Sequence, residues 1–442
     1  MDPIAFARDT TPLPAAALHQ ARRCLLDLGG VGWGGAGLPM ARIARDHAAG
    51  DLPGAVPLAF DTRMASPMGA ALAAGMTIDA LDGHDGFNPA KGHCGCGLLA
   101  GLIAVAPDDL PGAALLDLLA RGYELASRLA IVQHASCPDY HTSGSWVAPA
   151  LALLAGRIAG LDRDAMAHAA GIAEYHGPRS QMMRCIDHPT MVKDGSGQGA
   201  MVGVQAALLA ARGFTGAPAR TLTGAAWADL GRRWMIAEQY FKPYPVCRWA
   251  QPPVEAVLSL RADLRGPVTE IVIETFHEST RLATCHPATP EEAQYSTAFP
   301  VAIALARGGI GPADLHGAAL HDPEVRRLAA CLRFEESAEA NALFPGTRIA
   351  RARITAGGRN HVSDWHRPRW DAEAPPSDAE LRAKFDAFTD GILPPARQRA
   401  VAATLWDPAD ARAVRDALRP ALSASDRGDH SPSPSSTASS SA

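Results

Sequence analysis

The chain has 442 residues, 47% of them hydrophobic and 20% charged, with a formal net charge of −5. That length allows two or three domains, or one large domain with an insertion. The net negative charge argues against a nucleic-acid partner, and no apolar run reaches the roughly 18 residues needed to cross a bilayer. The opening M-D-P-I-A-F-A-R-D-T carries acidic residues and lacks the apolar core of a signal peptide, so a cytoplasmic location is expected. Eight cysteines are scattered through the chain, which argues against a disulfide framework. Cys94 and Cys96 form a C-x-C pair, a poor match to zinc-site spacing, and no metal is expected.

In chain order, the first half is rich in Ala, Leu and Gly and reads as helix. Leu115, Leu119, Tyr123 and Ile131 fall at helical spacing. A second helix follows the Ser/Gly cluster after His141, with Val147, Leu151, Leu154 and Ile158 on one face and Gly160 as its stop. Asp162 is placed to cap the next helix. The run A-M-V-G-V-Q-A-A-L-L-A-A-R-G, ending at Gly213, is a helix of small residues, which predicts a tightly packed bundle. After Lys242 the character changes, and Pro243, Pro245, Pro252 and Pro253 punctuate the chain. Residues 269–276 and 347–356 alternate as strands, with a helical stretch between them, giving a smaller α+β unit. A Pro- and Trp-rich connector leads to a helix with Leu381, Phe385 and Phe388 on one side, and helix continues to about residue 420. Residues 423–442 are Ser/Pro-rich and expected to be disordered. There is no internal repeat.

Asp82, His84, Asp85 and His93 lie in a segment broken by Gly83, Gly86, Pro89 and Gly92, which makes it a loop. Its bland reading is a solvated loop capping nearby helices; its sharper one is function, which loops often carry. His141 precedes a helix start, where an imidazole can serve as acid or base and the helix N-terminus favours a carboxylate ligand. Lys193 sits where a Gly-rich turn opens a helix, an anion-binding placement. Lys242 precedes P-Y-P-V-C-R-W. Surface exposure is the ordinary state of both lysines. Arg184 and Arg248 are supplementary candidates for carboxylate binding.

Taken in order, L-D-G-H-D-G-F-N-P-A-K-G-H-C-G, Y-H-T-S-G-S, M-V-K-D-G-S-G-Q-G-A, F-K-P-Y-P-V-C and Q-Y-S-T-A-F-P-V-A-I-A-L-A-R-G-G resemble the 2-methylcitrate dehydratase, or MmgE/PrpD, family. That family includes cis-aconitate decarboxylases and iminodisuccinate epimerases. The resemblance covers everything except the tail and is strongest from about 70 to 310. It implies a mainly α fold: a large helical domain built from both chain ends (1–241 and 378–422) with a smaller α+β lid inserted (242–377). It implies a homodimer, no cofactor, and a small di- or tricarboxylate substrate. It also places Asp82, His93, His141, Lys193 and Lys242 in the active site, with His84, Asp85, Arg184, Cys247, Arg248 and Phe299 as candidate substrate-binding residues. Three positions depart from the pattern: Gly86 where threonine is expected, Cys247 where histidine is frequent, and Phe299 where tyrosine is common. A phenylalanine offers no hydrogen bond. These departures point to a substrate other than cis-aconitate or 2-methylcitrate.

The leading expectation is a lyase that removes a proton from carbon next to a carboxylate. His141 or His93 would act as base, and the lysines would bind carboxylates and stabilise enediolate-like charge. An epimerase on the same scaffold is the runner-up. A non-catalytic member that has kept only the fold is the alternative from another class.

Overall fold

The computed structural model describes residues 2–137 and 139–421; the tail expected to be disordered, 423–442, lies outside the described residues. Helix accounts for 57% and strand for 9%, so the fold is mainly α. No helix among the described residues is long and apolar enough to cross a membrane.

Seven helices of the first half build the frame: α1 (Ala15–Gly35), α2 (Pro67–Asp79), α3 (Gly95–Val105), α4 (Gly112–Ser136), α5 (Gly144–Ile158), α6 (Arg163–His176) and α7 (Ser196–Ala210). Their ends are written locally. Ser66 caps α2 by accepting the Gly69 N–H at 3.1 Å, and Pro67 takes the first helical position, where a missing N–H goes unnoticed. Asp162 caps α6, as expected, accepting the Ala165 N–H at 2.8 Å. Gly160, at φ +69°, terminates α5 in the left-handed conformation that other residues resist.

Glycine sets how closely these helices pack. A Cβ on Gly75 of α2 would lie 2.6 Å from the Gly197 Cα of α7, and one on Gly199 would lie 2.6 Å from the Gly144 Cα of α5. A Cβ on Gly97 of α3 would lie 2.7 Å from Val147 Cγ1. Four backbones thus meet at distances that a side chain would forbid.

Beyond residue 242 the chain builds a four-stranded sheet from β1 (Val268–Thr275), β2 (Leu332–Glu336), β3 (Ala350–Ala356) and β4 (Arg359–Val362), in the order β2-β1-β3-β4. Ile273 of β1 faces Phe334 in the parallel pair with β2 and Ala352 in the antiparallel pair with β3. β3 buries Ala350, Ala352, Ile354 and Ala356 in strict alternation. β1 and β3 are the two strands expected from alternation. β2 and β4 escape that reading because L-R-F-E-E and R-N-H-V are edge strands dominated by polar residues. Helix α8 (Gln251–Arg261) packs on β3, and α9 (Ala298–Arg307) packs on α8.

The chain then returns to its start. Helix α10 (Asp378–Thr389) opens on a Ser377/Glu380 capping box and packs against α1, and α11 (Pro395–Trp406) follows. A Cβ on Gly30 of α1 would lie 2.8 Å from Phe385 Cδ2. Lys384 of α10 is buried, pairs with Asp27 of α1, and donates to the Gly83 carbonyl at 2.6 Å. The last helices therefore brace the loop that follows α2.

Gly197→Ala tests the packing argument by its sign. In an exposed helix this change stabilises by about 1 kcal/mol. Here the new methyl would meet Leu72 O at 2.6 Å and Met76 N at 2.8 Å. Overpacking of this kind costs about 1–3 kcal/mol, so the thermal midpoint is expected to fall. A raised midpoint would show that α2 and α7 can separate freely.

Candidate active site

The close helix packing brings three helix starts together. His93 lies two residues before α3, Ser143 immediately before α5, and Asp194 two residues before α7. One hydroxyl ties them: Ser143 Oγ accepts the His93 backbone N–H at 2.9 Å and donates to Asp194 Oδ1 at 3.0 Å. The loop before His93 pairs with the segment before Lys242, Gly86 opposite Tyr240 and Phe87 opposite Gln239. Asp82 and Lys242 meet through this pairing, with Lys242 Nζ 2.6 Å from Asp82 Oδ1.

The hydrogen bonds set the state of both histidines. The Asp85 carbonyl lies 2.5 Å from His93 Nδ1 and 3.3 Å from His84 Nδ1. A carbonyl only accepts, so both Nδ1 atoms carry protons. His84 Nε2 faces Asp79 Oδ1 at 3.3 Å, which makes it a donor too. His84 is thus an imidazolium: burial opposes its charge, but the Cys96 sulfur and the Asp79 carboxylate lift it well above the ordinary imidazole value. His93 is the reverse. Burial, then the Lys242 ammonium and His84, hold it well below the ordinary value. His93 is therefore neutral, with a bare Nε2 lying 3.9 Å from Asp194 Oδ2.

Two buried carboxyls are driven apart in the same space. Burial would raise Asp82, but Lys242, then Lys193 and the His84 imidazolium, hold it far below the usual carboxylate range. Asp194 has no such cation in contact. Burial, with the negative charges of Asp79 and Asp82, pushes it up to about 7. Its Oδ2 faces the Tyr295 hydroxyl at 3.3 Å. Carboxyls split in this way are the usual mark of an acid–base pair.

These groups line a narrow pocket of about 20 Å³, room for one water. Of the residues expected in the site, Asp82, His93, Cys247 and Arg248 line it. Lys193 and Lys242 stand behind the wall, each at most 1% exposed. Lys193 donates to the Asp79 carbonyl at 2.5 Å and to Gln294 Oε1 at 2.7 Å. Each ammonium thus gives two of its three donors to protein acceptors. His84 sits behind His93, and the Asp85 carboxyl turns into the core toward the Tyr123 hydroxyl.

Other expected residues stand apart. His141 packs near His134, and its charged neighbours among the described residues are Arg179 and Asp139. Arg184 lines another cavity, of about 640 Å³, which Lys193 also lines. Phe299 is fully buried in α9. A phenol is present on the pocket wall from Tyr295, which follows the short helix Pro290–Gln294 and precedes α9. Gly86 has a steric reason. A Cβ there would strike Tyr240 Oη and lie 2.8 Å from His93 Nδ1, so threonine has no room.

Sequence reasoning misses Asp194, Tyr295, Lys91 and Arg348, all of which line the pocket. Asp194 follows Lys193 directly, and Tyr295 lies in the Q-Y-S-T motif, so both carried a local signal. Arg348 carried none. Asp82, His84 and His93 also place one donor atom each within 4.8 Å of one another. A metal there would have to displace Lys242 from Asp82 and the Asp79 and Asp85 acceptors from His84, so the donor set fits an ion-paired cluster better than a cation.

Nitrogen-15 NMR of the imidazoles tests the assignment, with His93→Gln identifying the resonance. At pH 6 His93 is expected to be neutral, with Nδ1 protonated and Nε2 bare. A protonated Nε2 at that pH would remove the base from the pocket.

The MmgE/PrpD N-terminal domain matches residues 5–230, and the MmgE/PrpD C-terminal domain matches residues 244–408. Comparison with curated proteins gives no significant match. The two domain matches together span most of the sequence, and the chain belongs to the MmgE/PrpD family.

Proposed function

We propose that this protein is a lyase of the dehydratase type, acting on a small di- or tricarboxylate by acid–base chemistry. The observation that carries the reading is the contact between a neutral His93, with bare Nε2, and Asp194, pushed up to about 7, at 3.9 Å in a narrow pocket. His93 Nε2 takes the proton from carbon next to a substrate carboxylate. The C–H electron pair becomes the new C=C bond as the β C–O bond breaks. Asp194 delivers its proton to the departing oxygen, which leaves as water. A bound carboxylate adds negative charge beside His93, which raises its basicity as it is needed. Asp82 and Lys242 hold the loop carrying His93 as an ion pair.

Epimerisation through two bases needs them on opposite faces of the carbon. His93 and Asp194 stand side by side, which favours elimination. A homodimer and a cytoplasmic location belong to the same reading and rest on family membership.

The test incubates the protein in D₂O with a panel of di- and tricarboxylates and follows α-hydrogen signals by NMR. Exchange or a new alkene is expected with at least one member. His93→Gln and Asp194→Asn should each lower the rate by about 10²–10⁴-fold, while His141→Ala keeps it within about tenfold. Deuterium in recovered substrate of inverted configuration, with no alkene, would mean epimerisation instead.

The pH profile has a definite sign. Asp194 donates only while protonated, so kcat/KM is expected to fall as pH rises through about 7. On the acid side His93 stays neutral well below 6.5, so that limb lies lower than for an ordinary histidine. A flat profile up to pH 9 would remove Asp194 as the acid.

A further inference from the structure

Neither Lys193 nor Lys242 lines the narrow pocket, and each gives two of its three donors to protein acceptors, so recognition of a carboxylate there needs a group on the wall itself. Two guanidinium groups line it, Arg248 and Arg348, each 3% exposed. Both come from the part of the chain after residue 242 and are tied by one polar bridge through Asn88. Arg348 Nη1 donates to Asn88 Oδ1 at 2.6 Å, Asn88 Nδ2 donates to Asp371 Oδ1 at 2.6 Å, and the same Asp371 oxygen lies 3.2 Å from Arg248 Nη2. Arg248 is further set by the Phe241 and Arg369 carbonyls at 3.3 and 3.2 Å, and lies over the Tyr240 ring at 4.0 Å. Arg348 also donates to the Pro345 carbonyl at 3.3 Å.

The bridge leaves both charge and donors over. Two guanidinium cations face one carboxylate, Asp371, whose pairing Asn88 extends without adding charge. Nε of Arg248 and Nε of Arg348 are buried and find no hydrogen-bond partner among the described residues. Buried cations with idle donors are costly unless an anion completes them. Lys91, over the Tyr140 ring at 4.4 Å, adds a further positive charge to the same wall.

We propose that Arg248 and Arg348, held by Asn88 and Asp371, form the carboxylate subsite of this pocket. The proposal rests on the carboxylate reading given above and assigns its recognition to residues other than the two lysines. A planar fork matches a carboxylate in two bonds at once, which a lysine cannot do. The pocket as it stands has room for one water, so the ligand, a short-chain dicarboxylate on the carboxylate reading, enters only as the pocket walls move apart. Asn88 lies in the helical part and Arg348 beside the sheet, so the hydrogen bond that positions the subsite spans both parts.

The experiment is calorimetric titration of the full chain with succinate, and with inorganic phosphate as the competing anion. Wild-type protein is expected to bind succinate more tightly than phosphate. Arg348→Met and Arg248→Met should each weaken succinate by at least about tenfold, the loss of one charge-assisted fork. Arg348→Lys, which keeps the charge and guards against misfolding, should recover only part of the loss. Arg184→Met, in the other cavity, should bind as wild type does. Succinate binding untouched by the Arg348 variants, tighter binding of phosphate, or no binding of succinate by the wild type would each overturn the proposal. The outcome separates from that of the exchange assay. Binding lost in the arginine variants with no proton exchange in the wild type sinks the acid–base reading alone. Exchange with arginine-independent binding sinks the subsite alone.

Discussion

Everything in the candidate site depends on how closely four helices approach one another. Gly75, Gly97, Gly144, Gly197 and Gly199 let the backbones of α2, α3, α5 and α7 touch. The consequence is felt at the helix starts, where His93, Ser143 and Asp194 fall within one hydrogen-bonded chain. A side chain at any of these glycines would push the helices apart, and a proton cannot be passed across a widened gap. Packing that looks like core economy is in this sense part of the chemistry.

The second organising effect is the distribution of buried charge. Lys242 and Lys193 stand on one side of the cluster and hold Asp82 ionised. Asp194 lies on the other, where burial and two neighbouring carboxylates keep its proton. His84 and His93, only 4.5 Å apart by ring centroids, are split by the same logic, one cationic and one neutral. Fixed charges beside the working groups, cations for His93 and carboxylates for Asp194, set the protonation state of each. Such an arrangement needs no reorganisation when a proton moves.

The sequence carried the frame well and the site in part, for physical reasons. Helices announce themselves through local periodicity and caps, so Asp162 and the faces of α4 and α5 were readable. Asp82 and His93 were readable because glycines and prolines mark their loop. Lys193 and Lys242 were placed near the site, but their partners were not: Gln294 lies 101 residues beyond Lys193, and no local pattern encodes that contact. Arg348 was invisible for the same reason, as it reaches Asn88 across 260 residues. Conversely, His141 packs by His134 and Phe299 is buried in α9, and neither lines the narrow pocket. Tyr295 reaches the pocket while Phe299 does not because a break between two helices falls between them, which a motif of residue types does not resolve.

The bond from Lys384 to Gly83 has a consequence for how the protein comes into being. The loop carrying Asp82 and His93 is made early in synthesis, yet the ammonium that braces it belongs to the third helix from the end. Until that helix leaves the ribosome, Asp27 is a carboxylate without its counter-ion and the loop lacks its anchor. The helical frame can collapse as it emerges, while the working geometry waits for almost the last segment. A nascent chain of this protein is therefore silent by construction, and a copy shortened ahead of residue 384 stays so.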